Sequence, residues 1–341
     1  MSAKPNILLV YTGGTIGMIK DYETGALKAF DFDQLLQNIP ELRLLDCNIS
    51  TSSFDIPIDS SNMNPEYWNE LCEMIVSNYD DYQGFVVLHG SDTMSYTASA
   101  VSFMLENLDK PVIFTGSQLP IGDLRTDAKE NLITAIQIAG LQKRNKPIVQ
   151  EVCLYFEYKL YRANRTTKVS AEHFEAFDSP NYPALITSGV HLTVHEELLL
   201  KTNRKALKVH KNLVTEILLL KMYPGIPKSV VLAMLDISEI KGVVMETYGS
   251  GNTTTEGWFV EAIKSTIKKG IPVVNVTQCI GGSVQMGNYE TSVALKKIGV
   301  ISGADITSEA AITKMMYLLG QKLGHKVFKS VYETPLRGEL T

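Results

Sequence analysis

Seven apolar runs of strand length recur along this chain, at residues 7–11, 85–89, 111–115, 152–156, 217–221, 242–246 and 272–277. They are rich in Val, Ile and Leu and lack clean alternation, the pattern of parallel strands covered on both faces. Between them lie stretches of helical period. Residues 64–79 open with Asn-Pro, a favourable helix start, and place Trp68, Leu71, Cys72 and Ile75 on one stripe. Residues 93–108 and 123–141 follow the same logic. Strand and helix in alternation predict an α/β fold with a doubly wound, mainly parallel sheet. The charged, mixed segment 195–212 breaks the alternation, which then restarts with different spacing. The expected organisation is therefore a larger N-terminal domain at 1–194, a connector at 195–214 and a smaller C-terminal α/β domain at 215–341.

Composition narrows the function classes. At 341 residues a single core tends to split, which agrees with two domains. A net charge of −5 and the absence of any block of five or six Lys and Arg argue against a nucleic-acid surface. No uncharged apolar run approaches the ~18 residues of a membrane span. The short apolar stretch near the N-terminus lacks a small-residue cleavage site, so a cytoplasmic location is expected. Cys47, Cys72, Cys153 and Cys279 are scattered without a C-x-x-C pair, which suits a reducing compartment and argues against a disulfide framework or thiolate zinc. The histidines at 173, 191, 195, 210 and 325 show no H-E-x-x-H or paired spacing, so no metal site is expected.

In an open parallel sheet, ligands bind beyond the carboxyl ends of the strands. The first strand ends in T-G-G-T, but its glycines, Gly13, Gly14 and Gly17, fit neither the dinucleotide nor the triphosphate loop spacing. Thr15 follows that strand, Ser91, Asp92 and Thr93 the second, and Thr115, Gly116 and Ser117 the third; Lys168 closes the segment after the fourth. Successive strand ends thus deliver hydroxyls, a carboxylate and an amine. A hydroxyl needs a partner to take its proton, and a lysine oriented by an aspartate can serve. Backbone N–H groups in the glycine turns can stabilise an oxyanion. Acyl transfer, most simply amide or ester hydrolysis, is the reaction class this inventory supports.

The residues alone leave a structural alternative open at each position. Thr15 fits a helix cap, and Ser91, Asp92 and Thr93 fit the cap of the helix that starts at Met94. Lys168, among Lys159, Arg162 and Arg165, fits a solvated basic face; Asp59-Ser60-Ser61 fits a turn; His89 fits a satisfied strand-end histidine.

Several segments together resemble the bacterial type I (cytoplasmic) L-asparaginases. They are T-G-G-T-I-G at 12–17, L-H-G-S-D-T-M-S-Y-T-A-S-A at 88–100, D-S-S-N-M at 59–63, K-P-V-I-F-T-G-S-Q-L-P at 110–120, L-Y-R-A-N-R-T-T-K at 160–168, V-T-Q-C at 276–279 and the tail L-R-G-E-L-T. The resemblance implies hydrolysis of L-asparagine to L-aspartate and ammonia through an acyl-enzyme, without a cofactor. It makes Thr15 the nucleophile and Ser91, Asp92 and Lys168 a second triad that activates a group or water. Asp59, Ser60 and Ser61 would hold the α-carboxylate and α-amino ends, with Asp92 pairing the ammonium, and Ser117 would line the amide pocket. It also implies a homo-oligomer, a tetramer of intimate dimers, in which the partner's smaller domain helps to close each site. Three departures stand out. Ser91 replaces the family's threonine, which keeps the hydroxyl and loses the methyl that stiffens χ1. The residues 19–30, expected to form a lid, offer only Tyr22 where the family has a polarising tyrosine, and Ala26 stands where that tyrosine more often falls. Glu246, in E-T-Y-G, replaces an arginine of the family's regulatory asparagine site, so inherited allostery is not expected.

Overall fold

A computed structural model describes residues 4–20, 27–29, 39–202, 205–287 and 290–341. The chain divides into two compact units, Met1–Val209 and His210–Thr341. Part of the expected connector thus belongs to the first unit, where Lys208–Val209 pair with Leu105–Glu106.

The first unit is built on eight strands: β1 Asn6–Gly13, β2 Asn48–Ile58, β3 Gly84–Leu88, β4 Val112–Thr115, β5 Val152–Phe156, β6 Lys159–Arg162, β7 Ile186–Ser188 and β8 Leu192–Val194. Their spatial order is β8-β7-β6-β5-β4-β3-β1-β2. β1 to β5 run parallel in the spatial order 2-1-3-4-5, and β6 to β8 continue as an antiparallel edge. The chain reverses its direction of growth between β1 and β3, and at such a switch point the loops leave to opposite faces and open a crevice.

Burial on both faces explains the unbroken apolar runs. Ile7, Leu9 and Tyr11 of β1 pack with Val86, Leu88, Ile113, Cys153 and Tyr155 in one core, which α3, Ala128–Ala139, covers with Leu132, Ala135 and Ile136. The intervening Leu8, Val10, Phe85 and Val87 are buried as well. α1, Pro65–Ser77, starts where Asn64 Oδ1 accepts from the N–H of Glu66 at 2.8 Å, and it buries Trp68, Leu71, Cys72 and Ile75. α2, Met94–Met104, is buried almost throughout.

The second unit is a four-stranded parallel sheet in sequential order: β9 Ile217–Lys221, β10 Gly242–Thr247, β11 Val273–Thr277 and β12 Ile301–Ser302. Its core joins Leu220, Val243, Met245 and Val273 to Phe259 and Ile263 of the helix Gly257–Lys268. Among the described residues no helix is long and apolar enough to cross a membrane.

Candidate active site

The turns after β1 and β3 meet at the switch point, and their glycines are what allow it. A Cβ placed on Gly14 would lie 2.4 Å from the Gly90 nitrogen, and one on Gly90 would lie 2.5 Å from Ser60 Oγ. Neither position has room for a side chain, so the turns at 13–15 and 89–91 touch through backbone, and the Ser60 side chain packs on Gly90. Tyr11 supports the first turn by donating from its hydroxyl to the Gly14 carbonyl at 3.4 Å, and burial pushes its pKa up to about 12. Thr15 opens the short 3-10 turn Thr15–Gly17 directly after this contact, half-buried.

Ser91, Asp92 and Lys168, 76 and 77 residues apart in the chain, converge. Lys168 Nζ donates to Ser91 Oγ at 2.8 Å and to Asp92 Oδ1 at 2.7 Å, with its own side chain 17% exposed. The fork of an ammonium between a hydroxyl and a carboxylate overturns the solvated basic face. Of its basic neighbours Lys159 is exposed, whereas Arg162 is buried against Glu151, with Nε 2.6 Å from the carboxylate. The capping reading of 91–93 also gives way. Thr93 occupies the cap position of α2 without capping it; its hydroxyl donates instead to the Ser60 carbonyl at 2.7 Å. That bond ties the 59–61 turn to the 91–93 turn.

Asp59 serves its own turn: its Oδ1 accepts from the Ser61 N–H and the Ser61 hydroxyl, both at 2.8 Å. These bonds, the backbone one foremost, lower its pKa. A lowered carboxyl is ionised at neutral pH, as a partner for an amino group must be. Ser60 is buried, with its Oγ against Gly90. Ser117 is also buried, but its hydroxyl donates to the Leu119 carbonyl at 2.6 Å and bonds to none of the other candidates. Tyr22, with Ala26 and most of the 19–30 segment, lies outside the described residues.

The structure adds two residues. Gln118 Oε1 accepts from Ser91 Oγ at 3.2 Å, while its Nε2 donates to the His173 carbonyl at 3.1 Å. Asp127 accepts from the N–H groups of Gln118 and Leu119 at 2.9 and 3.1 Å, which fixes the loop that carries Gln118. The signal for Gln118 was its place, directly after T-G-S at a strand end. Asp127 gave none, because its role depends on a loop folding back over nine residues. Among the described residues no group of three or more His, Cys, Asp and Glu is placed to hold a metal ion.

In the second unit, Glu246 at the end of β10 is buried and engaged on both oxygens: Oε1 accepts from Ser308 Oγ at 2.6 Å, and Oε2 lies 3.1 Å from Lys221 Nζ. Thr277 Oγ1 donates to the Gly249 carbonyl at 2.6 Å and accepts from the Cys279 N–H at 3.0 Å.

A mainly parallel sheet with hydroxyls and a lysine–aspartate pair gathered at its switch point, followed by a small parallel-sheet unit, defines a class of two-unit hydrolases. Residues 6–200 match the family described as Asparaginase, N-terminal, and residues 216–331 match the Glutaminase/Asparaginase C-terminal domain. The chain belongs to the asparaginase family. It is 43% identical to L-asparaginase 1 of Escherichia coli K12 over 99% of this chain and 98% of that protein. It is also 40% identical to the 60 kDa lysophospholipase of Mus musculus, over 100% of this chain and 63% of that protein. The crystal structure of L-asparaginase I from Vibrio cholerae superposes with a TM-score of 0.91 at 39% identity, covering 99% of this chain and all of that one.

Proposed function

We propose that the protein hydrolyses L-asparagine to L-aspartate and ammonia through an ester to one of its own hydroxyls. The observation that carries this reading is the fork of Lys168 Nζ between Ser91 Oγ and Asp92 Oδ1 at 2.8 and 2.7 Å. A hydroxyl is a poor nucleophile at its own pKa; a lysine at hydrogen-bond distance accepts its proton when neutral and stabilises its oxyanion when charged.

Thr15 attacks the side-chain amide carbon, forming a C–O bond while the C–N bond breaks and ammonia leaves with the transferred proton. Water then attacks the aspartyl ester, activated by Ser91 with Lys168, and releases L-aspartate and the Thr15 hydroxyl. Asp92 orients the lysine and faces the substrate ammonium. Asp59, Ser60 and Ser61 bind the zwitterionic end, where an ionised carboxylate and hydroxyl donors are the groups such a ligand needs. Ser117 lines the amide side, and Tyr22 polarises Thr15. N–H groups of the glycine turns meet the oxyanion, each worth roughly 3–4 kcal/mol. No step calls on a cofactor. The enzyme acts in the cytoplasm as a homo-oligomer, a dimer or a tetramer of dimers, with L-asparagine as its small-molecule partner and neither nucleic acid nor membrane.

Ammonia release from L-asparagine, with L-glutamine run beside it, tests this. Turnover of asparagine well above glutamine is expected. A larger rate on glutamine would favour an ammonia-supplying amidase, and saturable binding without ammonia release would leave an amino-acid binding protein.

A further inference from the structure

Ser95 and Thr166 stand 71 residues apart in the chain and are both buried, and their hydroxyl oxygens lie 3.0 Å from each other. Thr166 Oγ1 also lies 2.7 Å from the Ala163 carbonyl oxygen, which only accepts, so the threonine proton goes there. Ser95 is therefore the donor of the pair, and the order runs from Ser95 through Thr166 to Ala163.

The two residues belong to the elements that carry the Lys168 fork. Ser95 sits in the first turn of α2, three residues after Asp92 and four after Ser91. Thr166 closes the 3-10 turn Ala163–Arg165, and two residues further on comes Lys168, in the short strand Thr167–Lys168. A second buried rung joins the same elements, where Asn164 Nδ2 donates to Ser102 Oγ at 3.1 Å. The Ser95–Thr166 rung lies at the end of α2 next to Ser91 and Asp92. On its other side the Lys168 strand is held by two paired residues, Thr167 with Asp178 and Lys168 with Phe177. A lysine carries its ammonium on a flexible four-carbon stem, so meeting a hydroxyl and a carboxylate at once requires a fixed backbone beneath it.

We propose that Thr166 is a positioning residue: its hydroxyl, between Ser95 and the Ala163 carbonyl, holds the Lys168 backbone at the distance from α2 at which the ammonium reaches Ser91 and Asp92 together. This rests on the amide-hydrolysis reading. Misplacing a catalytic group by ~1 Å costs on the order of 100-fold in rate, and the 59–61 turn is not touched, so the loss falls on kcat rather than KM.

The test compares Thr166→Val, which keeps the shape and removes the hydroxyl, with Thr166→Ser, which keeps the hydroxyl, for ammonia release from L-asparagine. Expected for Thr166→Val is roughly a 10- to 100-fold loss in kcat with KM within about threefold, and for Thr166→Ser a kcat within about threefold of wild type. In a Lys168→Met background Thr166→Val should cost less than about twofold, because the group it positions is gone. Equal losses in Thr166→Val and Thr166→Ser, a loss carried by KM, or the same loss with and without Lys168 would assign the threonine to packing and overturn the proposal. Should Thr166→Val fail to fold, Ser95→Ala, which leaves the Thr166–Ala163 bond in place, takes its part. A loss in kcat that disappears in the Lys168→Met background is expected, and an unchanged kcat would overturn the proposal. A wild type that releases no ammonia would overturn the functional reading, and a crystal structure of the folded variant then decides the positioning role. Lys168 Nζ should have left hydrogen-bond distance of Ser91 Oγ or Asp92 Oδ1, and an unchanged fork would overturn the proposal.

Discussion

Ser91 carries the sharpest residue-level consequence of the geometry. Its hydroxyl accepts from Lys168 and donates to Gln118 Oε1, so both of its hydrogen-bonding roles are defined by neighbours and do not depend on a γ-methyl. Ser91→Thr should keep kcat for asparagine within tenfold, and a larger loss in steady-state kinetics would mean that the pocket is shaped to serine. The strand-end residues were legible because a parallel sheet converts position in sequence into position in space. Each run had only to be ended correctly for Ser91 and Asp92 to be named, whereas Lys168 lies beyond the antiparallel β6, in the short strand Thr167–Lys168. Their alternatives could not be settled the same way. Whether Thr93 caps α2 or reaches Ser60 depends on a rotamer, and whether Lys168 is solvated depends on a loop that returns across 77 residues.

At the scale of elements, the turns matter more than the helices they connect. Gly90→Ala pushes a methyl to within 2.5 Å of Ser60 Oγ and must part the 59–61 and 89–91 turns. Activity should fall by more than tenfold with secondary structure retained by circular dichroism. Asn64→Ala, by contrast, removes the α1 cap and should cost about 1 kcal/mol of stability in urea unfolding with no change in kcat. Buried elements were readable and edge elements were not. β2, Asn48–Ile58, lies at the edge of the sheet with exposed and half-buried positions around a single buried residue, Phe54, so its N-I-S-T-S-S-F-D-I-P-I gives no apolar run. The antiparallel β6 to β8 were missed because register, not composition, makes them strands. The helix expected from residue 123 begins only at Ala128, since the residues before it form the loop that Asp127 holds.

For the whole molecule, a buried histidine bears on the response to acid and a buried ion pair on the response to mutation. His89 titrates at about 4 in the fold against 6.5 for an ordinary histidine, so the unfolded state binds the extra proton between those values. Its contribution is fully present above pH 6.5 and is lost as pH falls toward 4, on the order of 3 kcal/mol in all. The difference in unfolding free energy between wild type and His89→Asn should therefore shift by about that much across this window, and a pH-independent difference would contradict the assignment. In the second unit Lys314 and Glu339 are both fully buried and paired, and Lys314 also donates to the carbonyls of Tyr332 and Thr334 at 2.7 and 2.8 Å. Glu339→Ala strands a buried ammonium and should cost about 3–5 kcal/mol by chemical denaturation. Glu246, occupied by Ser308 and Lys221, presents a carboxylate where the resemblance would require an arginine, so the rate should rise hyperbolically with asparagine. The two-unit division was visible in the changed spacing after the charged segment. The 2-1-3-4-5 order was not, because strand order is set by how crossovers pack and leaves no mark in a single sequence.

The most direct measurement is a double-mutant cycle on kcat for asparagine with Thr15→Ala, Lys168→Met and the pair, each checked for an unchanged thermal midpoint. Groups that act on one substrate as a unit lose their effect together, so either single change should cost at least 1,000-fold and the double little more. Losses that multiply, or a wild-type rate in either single variant, would show that the hydroxyl at 15 and the amine at 168 do not serve one site.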